Sequence, residues 1–170
     1  MPAENTPRCV MRVYTDKIER SKALSVYQNA SSVSAWRIGS VNGMIDSLTE
    51  KLFELAMKHI YGDGVPEDNE LAFELLTRAH EMGHIEASYN LGICFHYGYG
   101  TEADLEKAFK LYLEAANAGH GKGMELVGRF YNQGMHVDKD RTLAEFWLDR
   151  AIKSGDAEAA EEARKELNRR

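Results

Sequence analysis

His80-Glu81-Met82-Gly83-His84 spells H-E-x-x-H. In that pattern two histidines one helical turn apart hold zinc, and the glutamate between them serves as general base. The chemistry requires both imidazoles on one face of a continuing helix. Gly62-Asp63-Gly64 and Gly98-Tyr99-Gly100 have the look of phosphate loops, but a P-loop needs a strand before it and a Lys-Ser/Thr pair after it, and neither is present. Cys9 and Cys94 are the only cysteines and follow no metal-ligand or disulfide spacing. No Ser/His/Asp or Cys/His set stands out. The sequence therefore assigns no catalytic residue, no cofactor and no metal, unless His80 and His84 share a helix.

The elements around that pair are set by a repeat. Gly62, Gly98 and Gly134 lie 36 residues apart, as do Ala72, Ala108 and Ala144, and Ala79, Ala115 and Ala151. Gly83, Gly119 and Gly155 keep the same step, as do Asp68, Asp104 and Asp140, and Leu55, Leu91 and Val127. A period in this range held without insertions marks a repeat array. The register rules against zinc. Gly83 shares the helix-stop position of Gly119 and Gly155, so His84 falls beyond the helix that carries His80. It aligns with His120 and Asp156, which read as caps of the following helix.

Each repeat reads as two helices. Ser47-Leu48-Thr49-Glu50 is a capping box, predicting that the first helix A starts there and runs to about Tyr61. Its equivalents are Ile85–Tyr97 and Gly121–Gln133. Each ends in a glycine turn where a residue of positive φ is needed. Asp68, Asp104 and Asp140 are predicted N-caps of helices B, at about Asn69–Met82, Leu105–Ala118 and Arg141–Ser154. Ala157–Leu167 starts a fourth helix A, made polar by Glu161, Glu162, Arg164 and Lys165, as a terminal cap facing water should be. The organisation is thus a leader over 1–46, three repeats over 47–84, 85–120 and 121–156, and a capping helix over 157–170. In the leader the sequence predicts disorder over Met1–Pro7, a strand or extended arm over Cys9–Tyr14 and a helix over Asp16–Asn29. Ser31–Gly43 fits neither period.

Composition bounds the function class. Net charge is −6, which argues against nucleic acid as partner, since phosphate binding needs a basic surface. Residues 1–46 hold six Lys/Arg against four Asp/Glu, a net +2, and the remainder holds 15 against 23, a net −8. The acidic array and mildly basic leader suggest that the leader docks on the array. No apolar run is long enough to insert in a membrane, and no apolar segment opens the chain, so the expected location is the cytoplasm.

The repeat resembles the Sel-one-like repeat family, a branch of the tetratricopeptide superfamily. The family pattern, A-x-x-x-L-G-x-x-Y-x-x-G-x-G-V followed by D, K-A and A-A-x-x-G, is met in repeat 2 by Ala87, Leu91, Gly92, Phe95, Gly98, Gly100, Asp104, Lys107, Ala108, Ala115, Ala116 and Gly119. Repeat 3 departs at His136, where the second glycine should stand, which leaves its A–B turn open to a different shape. The resemblance implies an all-α, right-handed superhelical solenoid of three antiparallel helix pairs, with a C-terminal capping helix and an irregular, partly helical N-terminal leader. It also implies a non-catalytic role as a protein-binding scaffold or adaptor, the alternative being an inhibitor or immunity protein that occludes a toxin or enzyme.

In tetratricopeptide geometry helices A line the concave face. Leu52, Leu55, Ala56 and His59 then face the core in repeat 1, and Ser88, Leu91, Gly92 and Phe95 in repeat 2. Phe53, Met57, Ile60 and Tyr61, with Tyr89, Ile93, His96 and Tyr97, face the groove. In repeat 3 the same positions hold Glu125, Arg129, Asn132 and Gln133, as in a solvated groove. Large apolar patches mark binding sites, so the strip is expected to be covered. Either a protein or peptide partner docks there, with Arg129 meeting its carboxylate, or the leader fills it with Trp36, Ile38 and Val41.

Overall fold

A computed structural model describes the backbone of residues 35–169 and the side chains from Gly43 onward. The readings made for 1–34, the docking of the leader and the packing of Trp36, Ile38 and Val41 lie outside the described residues. The chain divides into two compact units, Met1–Met44 and Ile45–Arg170. Of the first, the description covers only residues 35–44, the opening of the first helix.

All regular structure among the described residues is helical. The order is α1 (Ala35–Tyr61), α2 (Asn69–Glu81), α3 (Ile85–Tyr97), α4 (Leu105–Asn117), α5 (Gly121–Gln133), α6 (Arg141–Lys153) and α7 (Ala157–Leu167). Helices α2 to α7 each pack on the next, and α5 also packs on α7. The result is an all-α solenoid in which α1, α3, α5 and α7 form one layer and α2, α4 and α6 the other.

The local signals act as their chemistry requires. Asp68, Asp104 and Asp140 accept the backbone N–H of Leu71, Lys107 and Leu143 at 2.9, 3.0 and 3.0 Å. Each satisfies an orphan donor at a helix start. Their own N–H groups donate to His59, Phe95 and Tyr131 carbonyls, locking helix B back onto helix A in every repeat. Gly83, Gly119 and Gly155 have φ of 89, 100 and 90°. They end each B helix in the left-handed region, and His84 lies beyond the stop.

Two expectations are corrected. Ser47 does not start a helix. Helix α1 runs through it, and Thr49 Oγ1 donates to the Ile45 carbonyl at 2.7 Å, a bond of a helix interior. Because the preceding turn is helical, the N–H groups a capping box would satisfy are already committed to the ladder. Leu55, equivalent to the buried Leu91 and Val127, is 40% exposed. Leu91 is covered by Leu75, Leu76 and Ala79 of the preceding B helix, and within Ile45–Arg170 no B helix precedes Leu55.

Repeat 3 makes the same A–B turn as the others. His136 takes φ of 63°, matching 73° at Gly64 and 68° at Gly100, and it is the one non-glycine with positive φ among the described residues. A side chain there costs about 1 kcal/mol. His136→Gly is therefore expected to stabilise the protein by about that amount, read as a higher urea midpoint at unchanged slope. A lower midpoint would mean that the His136 side chain more than offsets its own strain.

Two core clusters run along the array. Ala56, Leu75, Leu76, Ala79, Ala87, Leu91, Cys94 and Leu111 form one; Tyr112, Phe130, Val127 and Leu148 anchor the other. Gly92 sits where a Cβ would come within 2.7 Å of the Tyr112 ring, and Gly128 where one would come within 2.6 Å of Leu148. These glycines are 36 apart, as are the side chains that fill the space above them.

Candidate functional site

The layer of A helices is assembled by a joint that repeats with the sequence. His84 Nδ1 accepts the Ala87 N–H at 3.1 Å, capping α3, and its Nε2 lies 3.2 Å from Glu50 on α1. Phe53 stacks on its ring at 4.6 Å. One repeat on, His120 Nδ1 accepts the Gly123 N–H at 3.0 Å, Nε2 lies 3.4 Å from Glu86, and Tyr89 covers the ring at 4.5 Å. An Nδ1 that accepts a backbone N–H carries no proton there, which leaves Nε2–H as the donor; in His84 it donates to Glu50. Both nitrogens of His84 are thus engaged, and His80 hydrogen-bonds Ser88 Oγ at 2.8 Å. At the third joint the chemistry changes. Asp156 caps α7, Lys122 pairs with Glu158 at 2.7 Å, and Glu125 replaces the aromatic.

Beside that third joint lies a groove of about 240 Å³, built by α3, α5 and α7 over the buried Tyr112. Tyr89, Ile93 and Tyr97 form one wall, four residues apart on one face of α3. Lys122, Glu125 and Arg129 of α5 lie across from it, and Glu158, Ala159 and Glu162 of α7 close the other side. Tyr97 is 60% exposed, stacked between His96 at 4.5 Å and Tyr99 at 5.7 Å.

Of the residues singled out from the sequence, Tyr89, Ile93, Tyr97 and Arg129 are brought together here. Phe53, Met57, Ile60, Tyr61 and His96 do not line the groove. Phe53 is tied to the His84 joint, and Phe53 and Ile60 pack on the first core cluster. Met57 is half-buried and Tyr61 exposed on α1. His96 lies against Tyr112 and Phe130, with Nδ1 3.3 Å from the Tyr112 hydroxyl.

Repeat 3 is not a solvated groove. Glu125 is 5% exposed. Asn132 and Gln133 donate to Glu166 Oε1 at 2.8 and 2.9 Å, and Glu166 itself is buried. The polar positions of α5 are the seat of α7. Sequence reasoning missed Lys122, Glu158 and Glu162 as groove residues, because α7 reads only as a cap. One signal was present: Glu86, Lys122 and Glu158 occupy the same position in successive repeats and alternate in charge.

The electrostatics are those of a desolvated recess. Burial pushes the Tyr89 phenol up to about 12, so it remains a hydroxyl. Arg129 Nη2 meets Glu125 at 2.6 Å, and Glu125 supplies the carboxylate that the sequence reading expected from a partner. Even so, burial outweighs Arg129 and holds the Glu125 carboxyl above its ordinary range. Burial, with Arg129 adding to it, holds the His96 imidazole below its usual value. Cys94 is buried and its thiol is pushed up to about 11, which leaves little thiolate for nucleophilic chemistry. No helix among the described residues is long and apolar enough to cross a membrane.

Residues 52–84, 85–120 and 121–156 each match the Sel1 repeat family model. Among solved structures, a Sel1 repeat protein from Oxalobacter formigenes is similar at 26% identity and a TM-score of 0.63, over 65% of this chain and 45% of its own. The protein c5321, a protective antigen present in uropathogenic Escherichia coli strains and displaying an SLR fold, is similar at 28% identity and a TM-score of 0.63, over 67% of this chain and 24% of its own. Cysteine rich protein B of Helicobacter pylori shares the fold at 21% identity, with a TM-score of 0.56 over 70% of this chain and 92% of its own. This chain spans less than half the length of the first two. No curated protein matches it. With its three matched repeats covering more than half of its residues, the chain belongs to the Sel1 repeat family, whose repeats are in general protein–protein interaction modules.

Proposed function

We propose that this protein is a non-catalytic adaptor that binds a segment of a protein partner in the groove between α3, α5 and α7. The observation that carries the reading is the Tyr89–Ile93–Tyr97 wall, aromatic and partly exposed in a recess large enough for side chains of another chain. Accessible tyrosines beside an apolar wall and a polar rim are the composition of interface hot spots.

Tyr97 gives the cleaner test, because at 60% exposure it contributes little to folding. A partner captured by the wild-type protein and purified should bind Tyr97→Ala about 2 kcal/mol more weakly, roughly 30-fold, as measured by titration calorimetry. The thermal melt should stay where it was. Equal affinity for a folded variant would place the binding face elsewhere on the array. Reversible binding of several partners fits an adaptor; one partner, held tightly and inactivated, fits the inhibitor alternative.

A further inference from the structure

The charges around the groove are not evenly presented. Its two cations are drawn in: the Arg129 side chain is 29% exposed and held by Glu125, and Lys122 is 37% exposed and held by Glu158. Glu125 is buried, but the two carboxylates of α7 stand out: Glu158 is 74% exposed and Glu162 is 44% exposed. Glu158 and Glu162 lie four residues apart on α7 and so share a face. Glu158 already meets the partly buried Lys122 at 2.7 Å and Glu162 the exposed Lys165 at 2.8 Å; a pair whose carboxylate faces water is worth little and leaves that carboxylate open to a second cation. The apolar wall of α3 faces this acidic rim across the recess. The array as a whole adds to the field, with 15 Lys/Arg against 23 Asp/Glu after residue 46.

We propose that the partner segment seated in this groove is basic, and that a lysine or arginine of that segment lays its aliphatic stem along Tyr89, Ile93 and Tyr97 and places its charged end at Glu158 and Glu162. The inference rests on the groove being the binding face and adds the chemistry of the occupant. Long cationic side chains suit such a site because their stems bury against apolar surface while their ends stay solvated or paired. An acidic segment would have to pass two outward carboxylates to reach Arg129, which is drawn in beside the buried Glu125. A partner with no charge would gain the apolar wall alone.

The test uses the full chain and two capped heptapeptides of alternating leucine and lysine or leucine and glutamate. Affinity is read by fluorescence anisotropy, and the site by the ring signals of Tyr89 and Tyr97 in NMR spectra. The lysine peptide is expected to bind at least about tenfold tighter than the glutamate peptide and to shift both rings, on the scale of complementary charge pairs. In E158Q/E162Q, whose changes lie on the exposed rim, the preference should fall to about threefold or less, and raised salt should do the same in the wild type. If the lysine peptide binds as tightly to E158Q/E162Q, or without shifting the tyrosines, it binds by net charge alone and the inference is wrong. If the glutamate peptide binds equally well and shifts the rings, the groove stands as a binding face and only the basic occupant is overturned. If neither peptide shifts the rings, the groove reading falls as well.

Discussion

Tyr112→Ala is expected to lower the stability of the protein by about 3–5 kcal/mol, the cost of truncating a large buried aromatic. Tyr112 has no exposed surface. Its ring occupies the space that a Cβ at Gly92 would enter, packs edge-on against Phe130 at 5.9 Å and meets Tyr89 at 6.0 Å. It therefore joins α3, α4 and α5 at once, and it is the floor under the groove. Its removal leaves a cavity that three helices cannot close together, so the variant should lose both stability and groove binding. Tyr112→Phe separates the terms. It keeps the ring and loses only the 3.3 Å contact with His96, which should cost about 1 kcal/mol. Urea denaturation of the two variants checks the pair of values. A Tyr112→Ala midpoint close to that of Tyr112→Phe would show that the core does not rest on the ring.

Gly128→Val should destabilise by about 1–3 kcal/mol through overpacking. A Cβ there would meet the Leu148 side chain at 2.6 Å and the Ala144 carbonyl oxygen at 3.2 Å. Leu148 is itself fully buried among its neighbours, while the Ala144 oxygen belongs to backbone. The branched Cβ of valine restricts the rotamers available to relieve the clash. Because the two side chains compete for one volume, Gly128→Ala and Leu148→Ala combined should cost less than the sum of their separate effects. A double variant whose losses simply add would show that helix approach is not what the glycine provides.

The fold was legible because it is written three times. A cap or a stop at one position is weak evidence, but Asp68, Asp104 and Asp140 at one spacing make the same statement repeatedly, as do Gly83, Gly119 and Gly155. Reading His84 as a cap rather than a zinc ligand followed from the same register. Ser47 was misread because a capping box is a local pattern, and whether it acts depends on the residues before it, which here are helical. The groove was only partly legible. Tyr89, Ile93 and Tyr97 share a face by spacing alone. What stands opposite them depends on how α7 docks, and that docking rests on Glu166 reaching 33 and 34 residues back to Gln133 and Asn132. The burial of Glu125 was invisible for the same reason, since a carboxylate on a helix surface reads as solvated until another helix covers it. His136 adopts the glycine-like turn against its local preference, which no reading of the residue type alone would predict.

The histidine joints carry a consequence for how such an array can lengthen. A glutamate on one A helix meets the histidine that starts the next, at Glu50–His84 and again at Glu86–His120, while Lys122 and Glu158 close the series. A tandem duplication of residues 85–120 would regenerate a Glu–His joint on each side of the new copy, so gene-level growth is compatible at that seam. A duplication of residues 121–156 would bring a second lysine to the place of Glu158 and set like charges side by side. It would also part α5 of the first copy from the helix that Asn132 and Gln133 hold. The molecule thus has seams at its two Glu–His joints where units can be added and one at Lys122–Glu158 where they cannot, and the recess proposed for binding lies beside the latter, where its shape is insulated from additions at the other two.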